Sequence, residues 1–152
     1  ENKALFGWGK KDMGFVKSIN FFASDKNYID LHNFDEGSVA QLDKTTIKTI
    51  SKNCVFSSWE SFEILFLKSD FEAQKLKQAP LDFQVDFWAL ESNNFPDFIA
   101  PPKEAILLLS DKKPSKKLKN FAQKNNIPLV SIRETGGFMF KMKNKTWHFL
   151  TN

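Results

Sequence analysis

Residues 105–109 (Ala-Ile-Leu-Leu-Leu) form an unbroken apolar run with no polar alternation. A run that short, apolar at every position, predicts a strand covered on both faces. Residues 127–132 read as a second buried strand. Between them, residues 113–123 carry Pro114 in what would be a helix's first turn, where its missing N–H costs nothing. Leu118, Phe121 and Ala122 give that helix an inward face. A strand, helix and strand in succession normally form a parallel pair through a right-handed crossover. This unit makes the expected fold class α/β (mixed α+β).

The rest of the chain adds antiparallel character. Residues 15–22 and 28–31 are short apolar or alternating runs around Ser24-Asp25-Lys26-Asn27, which predicts a hairpin. Asp35-Glu36-Gly37 marks a turn before further strands over 39–42 and 45–50. Ser57 followed by Glu60 has capping-box spacing, and a broad apolar arc runs through Trp59, Phe62, Phe66, Ala73 and Leu76. Those signals predict a helix from Ser57 to its stop at Pro80. Residues 81–90 alternate as a half-buried strand would, and Gly136-Gly137 introduces a hairpin of 138–142 with 146–150. The expected whole is a single domain, 1–152, with a mixed, largely antiparallel sheet, one parallel β-α-β unit and two main covering helices. Its parts are an antiparallel region over 1–56, a helix plus β-β-α-β region over 57–132, and a hairpin over 136–152. Phe62, Phe66, Phe83, Val85, Leu107, Leu109, Leu118, Phe121 and Val130 are the expected core.

Composition narrows the class. The chain holds 17 Phe and 4 Trp against a single Tyr, and phenylalanine, having no polar handle, belongs in a core. No apolar run approaches the ~20 residues of a membrane span. The lone Cys54 can form neither an internal disulfide nor a cysteine metal cluster. A soluble, cytoplasmic protein is therefore expected, with a removed signal peptide left open by a chain that begins at Glu1. The net charge is +4, and Arg133 is the only arginine among 22 basic residues. Lysine supplies point charges suited to phosphate backbones, whereas reading of base edges usually relies on arginine.

The lysines gather around the second helix. Lys112, Lys113, Lys116, Lys117, Lys119 and Lys124 lie on it or just before it, and Lys141, Lys143 and Lys145 lie on the last hairpin. A helix start offers free N–H groups and a positive dipole end. With Ser110 and Ser115 nearby, the expected anion-binding set is Lys112, Lys113, Ser115, Lys116 and Lys117. The leading reading is thus a non-catalytic binding module for an anionic partner, a nucleic-acid backbone first. A lysine-covered solvent face is the plain alternative.

Two other readings compete. Asp86 lies on the alternating strand and Asp111-Lys112-Lys113 follows the next buried strand, with Glu60 and Glu63 before them. One acid, then an acid-x-Lys, is similar to the order of the PD-(D/E)xK nuclease superfamily over roughly residues 57–132. That resemblance implies a metal-dependent nuclease in which Asp86 and Asp111 hold Mg²⁺ or Mn²⁺ and Lys113 activates water; otherwise no cofactor is expected. The remaining reading is a protein-interaction or inhibitor domain that binds through Trp8, beside Lys10-Lys11, and Trp147. His32 and His148 have no ligand at metal-site spacing, so neither is expected to hold a metal.

Overall fold

The computed structural model describes residues 5–7, 20–22, 36–37, 39–42, 45–51, 53–59, 62–79, 84–136, 138–143 and 146–151. In chain order they form β1 (Leu5–Gly7), β2 (Asn20–Phe22), β3 (Val39–Leu42), β4 (Thr45–Ser51), β5 (Cys54–Trp59), β6 (Phe62–Leu67) and α1 (Ala73–Gln78). Then follow β7 (Phe87–Leu90), β8 (Ala105–Leu108), α2 (Lys116–Lys124), β9 (Leu129–Ser131), α3 (Ile132–Thr135), β10 (Phe138–Lys143) and β11 (Thr146–Thr151). The chain divides into two compact units, Asp35–Gly136 and Glu1–Phe34 with Gly137–Asn152.

The Asp35–Gly136 unit is built on one seven-stranded sheet whose strand order follows the sequence, β3 to β9. The first three pairings are antiparallel and the last three parallel. The mixed α/β class expected from the sequence is therefore the observed one, with parallel pairing extended beyond a single unit. The antiparallel half is a meander whose strands are separated by only two residues: Asp43-Lys44, Lys52-Asn53 and Glu60-Ser61. Two-residue connections are the commonest way to reverse a strand.

The helix expected from Ser57 is corrected to two strands, because Cys54–Trp59 and Phe62–Leu67 pair with each other antiparallel, Trp59 opposite Phe62. Ser57 lies within β5 rather than at a helix cap, and Glu60 lies outside the described residues. The broad apolar arc belongs to a strand buried on both faces: Phe62, Ile64 and Phe66 on one side, Leu65 and Leu67 on the other, all nearly inaccessible. Aromatic and β-branched residues favour such a strand. Helix begins only at Ala73, where Ala, Gln, Lys and Leu take over.

The strand expected over 81–90 is seen as β7, with 81–83 outside the described residues. The half-buried alternation is corrected too, since Trp88 and Leu90 are as buried as Phe87 and Ala89. β7 lies between β6 and β8 and parallel to both. Buried on both faces there, it can leave no polar side.

The crossovers explain which face the helices cover. Strands added in one direction by crossovers of one hand place every connection on the same side of the sheet. Leu76 of α1, Phe95 of the β7–β8 loop, and Leu118 and Ala122 of α2 all join one cluster with Leu65, Trp88, Leu90, Ile106 and Leu108. Trp88 stacks on Phe121 with centroids 5.7 Å apart and planes at 16°, and Phe95 tilts against the same ring at 4.8 Å. The Trp88 indole N–H is buried without an acceptor among the described residues. An unmet buried donor costs about 1–3 kcal/mol, a penalty the surrounding apolar burial exceeds. On the other face Ile47, Ile64, Phe66, Phe87, Ala89 and Leu107 are also buried.

At the end of the sheet the expected buried strand over 127–132 is shorter, an edge strand with Leu129 and Val130 half-buried. Ile132 starts α3 instead, and Gly136, at φ +75°, closes it by donating its N–H to Ile132 at 2.8 Å. A residue with a Cβ is strained at that φ, which is why glycine stands there. Of the expected core, Phe62, Phe66, Val85, Leu107, Leu109 and Leu118 are buried, and Phe121 and Val130 half-buried. Phe83 lies outside the described residues.

In the other unit β1 pairs antiparallel with β2, and β10 with β11, Lys143 opposite Thr146. The C-terminal hairpin is thus as expected. Of the hairpin expected over 15–31, only Asn20–Phe22 is described, and its partner is Leu5–Gly7; the remainder lies outside the described residues. No helix among the described residues is long and apolar enough to cross a membrane.

Candidate anion-binding surface

The loops that follow β6, β7 and β8 meet at the carboxyl ends of the parallel strands, where α/β sheets habitually hold ligands. Asparagines tie them together. Asn93 accepts the Ser115 N–H at 2.7 Å and donates to the Lys113 carbonyl at 3.0 Å, joining the β7–β8 loop to the start of α2. Asn94 donates to the Ser69 carbonyl at 2.9 Å, and the Ser69 N–H donates to the Glu91 carboxylate at 2.7 Å. Burial pushes the Glu91 carboxyl above the usual carboxylate range, opposed by the Ser69 N–H and Lys68. Arg133 reaches in from α3, Nη1 donating to the Asp111 carbonyl at 2.7 Å.

The helix start is thereby fixed one residue after Ser115. Its hydroxyl caps α2 by accepting the Leu118 N–H at 3.1 Å, and Pro114 precedes the cap rather than opening the helix. Lys116 and Lys117 are the first two helical residues, with no acid in the first turn. Carboxylates are favoured there and cations disfavoured, by about 0.3–1 kcal/mol each, because the helix dipole presents its positive end. This chain places lysines where the dipole opposes them.

The charge is concentrated. Asp35–Gly136 holds fourteen Lys and Arg against fourteen Asp and Glu, yet residues 105–133 hold seven against the single Asp111. Within the expected anion set, Lys117 is engaged. Its ammonium pairs with Asp97 at 2.8 Å and lies 5.1 Å from the Phe95 ring centroid. That hydrogen bond and charge hold the Asp97 carboxyl below the usual range. Lys119 approaches Glu134 at 3.9 Å. Lys112, Lys113 and Lys116 are exposed and make no ion pair among the described residues. Ser115 has its N–H occupied by Asn93 and its oxygen by the cap, so it serves the helix first.

The nuclease constellation does not form. Asp86 precedes β7, level with Glu104 before β8, whereas Asp111 follows the end of β8. Strands rise about 3.3 Å per residue, so the strand between those levels alone spans roughly 13 Å. Asp86 Oδ2 instead accepts the Glu63 N–H at 2.8 Å, and its Oδ1 lies 3.8 Å from Lys103. It fastens the ends of β6, β7 and β8. The nearby Glu63 carboxyl is raised by burial first and Asp86 second, with Lys103 opposing. Among the described residues no three His, Cys, Asp or Glu side chains are placed to hold a metal.

Other expected positions carry less. Trp8 and His32 lie outside the described residues. Trp147 stands opposite Met142 in the last hairpin and His148 opposite Lys141. Burial pushes the Cys54 thiol up to about 12, which removes it as a nucleophile. Arg133, Asn93 and Asp97 were not anticipated. Only Asn93 had a signal, since Asn-Asn after a strand favours side-chain bonds to nearby backbone. No protein-family model, curated protein or solved structure matches this chain.

Proposed function

We propose that this protein is a non-catalytic binding module for an anionic polymer, a nucleic-acid backbone in particular, gripped by Lys112, Lys113, Lys116 and Arg133. One observation carries the reading: three exposed lysines without carboxylate partners stand at the positive end of α2, where an intrahelical acid would be more stable. A bound phosphate supplies the negative charge that the first turn lacks. Arg133, anchored on the Asp111 carbonyl, adds a fourth cation beside them.

Counterion release makes such binding salt-dependent. Three to four phosphate contacts give a log–log slope of about −3, a loss of roughly 60-fold between about 50 and 200 mM salt. Fluorescence anisotropy with a labelled duplex oligonucleotide measures it. The triple variant Lys112→Gln, Lys113→Gln, Lys116→Gln should flatten that slope and weaken binding. Affinity indifferent to salt, or unchanged in the triple variant, overturns the proposal.

A further inference from the structure

Phe98 is one of two large apolar side chains left exposed among the described residues, with 37% of its surface open. It sits in the β7–β8 loop between cations from both helices. The Lys77 ammonium of α1 lies over the face of its ring, 4.8 Å from the centroid, and the preceding residue, Asp97, is bonded to Lys117 of α2. The same loop, through Asn93, holds the backbone of Lys113. Lys77 therefore borders the ring directly, and Lys117 reaches the same loop one residue earlier, at Asp97. Asp97, the carboxylate in that stretch, is neutralised by Lys117.

The loop backbone is fastened on both sides of Phe98. Pro96 and Pro102 are fully buried anchors, and the Ile99 N–H donates to the Pro96 carbonyl at 3.3 Å, closing a tight turn with Asp97 and Phe98 at its centre. Phe95, earlier in the same loop, is buried against Phe121. A ring carried on a fastened backbone loses less entropy on binding a flat partner than one on an unfastened loop. Stacked bases with lysines tracking the backbone are how proteins hold single strands without reading sequence.

We infer that the lysine surface takes single-stranded nucleic acid, with a base displacing the Lys77 ammonium from the Phe98 ring to stack there and Lys77 swinging to an additional phosphate contact. This rests on the polyanion reading above and goes further, because a duplex keeps its bases stacked on each other and cannot offer one to Phe98.

The test is anisotropy with a labelled single strand and with the duplex of the same sequence, for the full chain and for Phe98→Ala, Phe98→Trp and Lys77→Gln. Phe98→Ala should weaken single-strand binding about tenfold or more and leave duplex binding unchanged. Phe98→Trp should retain or tighten it, which a merely folded-state effect would not produce. Lys77→Gln should lower the single-strand salt slope by about one unit. If Phe98→Ala leaves single-strand affinity unchanged, or weakens both forms equally, the stacking inference is overturned. The polyanion reading survives that result wherever the lysine triple variant still loses affinity. Should neither oligonucleotide bind in a salt-dependent way, both fail together.

Discussion

Reversing the charge of Lys116 to glutamate should make the protein more stable while it weakens anion binding. Lys116 is the first residue of α2, with Lys112 and Lys113 just before it and Lys117 beside it. Lysine and glutamate have nearly equal helix propensity, so the substitution isolates electrostatics. Removing an unfavourable charge from the dipole's positive end and installing a favourable one contributes about 0.3–1 kcal/mol each, so the total is about 0.6–2 kcal/mol. For a unit of about 100 residues, 1 kcal/mol moves Tm by about 4–8 °C, so Lys116→Glu should raise it by roughly 2–16 °C at low ionic strength. Thermal unfolding followed by circular dichroism reads this directly. The gain should shrink in about 1 M salt, where the Debye length falls to about 3 Å. A saturating oligonucleotide should raise the Tm of the original chain more than that of the variant, since ligand linkage follows affinity. A Tm at low salt equal to or below the original would show that these lysines are not under electrostatic stress, and the case for an anion site would lose its foundation.

Two further expectations concern the opposite end of the sheet. Asp86→Ala removes the acceptor of the Glu63 N–H and the partner of Lys103, and should cost about 1–3 kcal/mol, seen as a lower urea midpoint with unchanged slope; Asp86→Asn, which keeps an oxygen, should lose less. Equal midpoints for all three chains would refute a fastening role for Asp86. Glu63 has a folded-state carboxyl raised above 4.5 by burial, so its contribution is fully present below 4.5 and is lost as pH climbs through the raised value. Glu63→Gln, which cannot ionise, should therefore be more stable than the original chain at pH 7 and not at pH 4. Matching urea midpoints at both pH values would contradict that sign.

Residues with strong local chemistry were readable in advance. The run at 105–109, the lysine-rich helix and the C-terminal hairpin were legible because turn residues, proline placement and unbroken apolarity each point one way. Residues 54–67 were not, because β6, buried on both faces, has no alternation to display. Ser57 and Glu60 stand at capping-box spacing, yet Ser57 is a strand residue of β5. Local propensity at Trp59, Phe62, Ile64 and Phe66 favours strand and competes with the apolar arc. Lysine clustering was visible as composition, but the neutralisation of Lys117 by Asp97 and of Lys119 by Glu134 depends on the tertiary fold. The separation of Asp86 from Asp111 follows from strand direction alone: in neighbouring parallel strands, a residue before one and a residue after the other lie at opposite ends. Linear order carries no trace of that.

The sequential order of the seven strands bears on how the chain is made. As synthesis proceeds, β4 emerges to find β3 already present, β5 finds β4, and so on to β9. No strand has to wait for a distant segment or wedge itself between two that have already joined. The three short hairpins can zip first, and each parallel strand then docks onto the edge left by the strand before it, with its crossover passing over the same side every time. Assembly of this kind keeps loop-closure entropy low at each step and shortens the interval in which an open apolar edge is exposed to other chains.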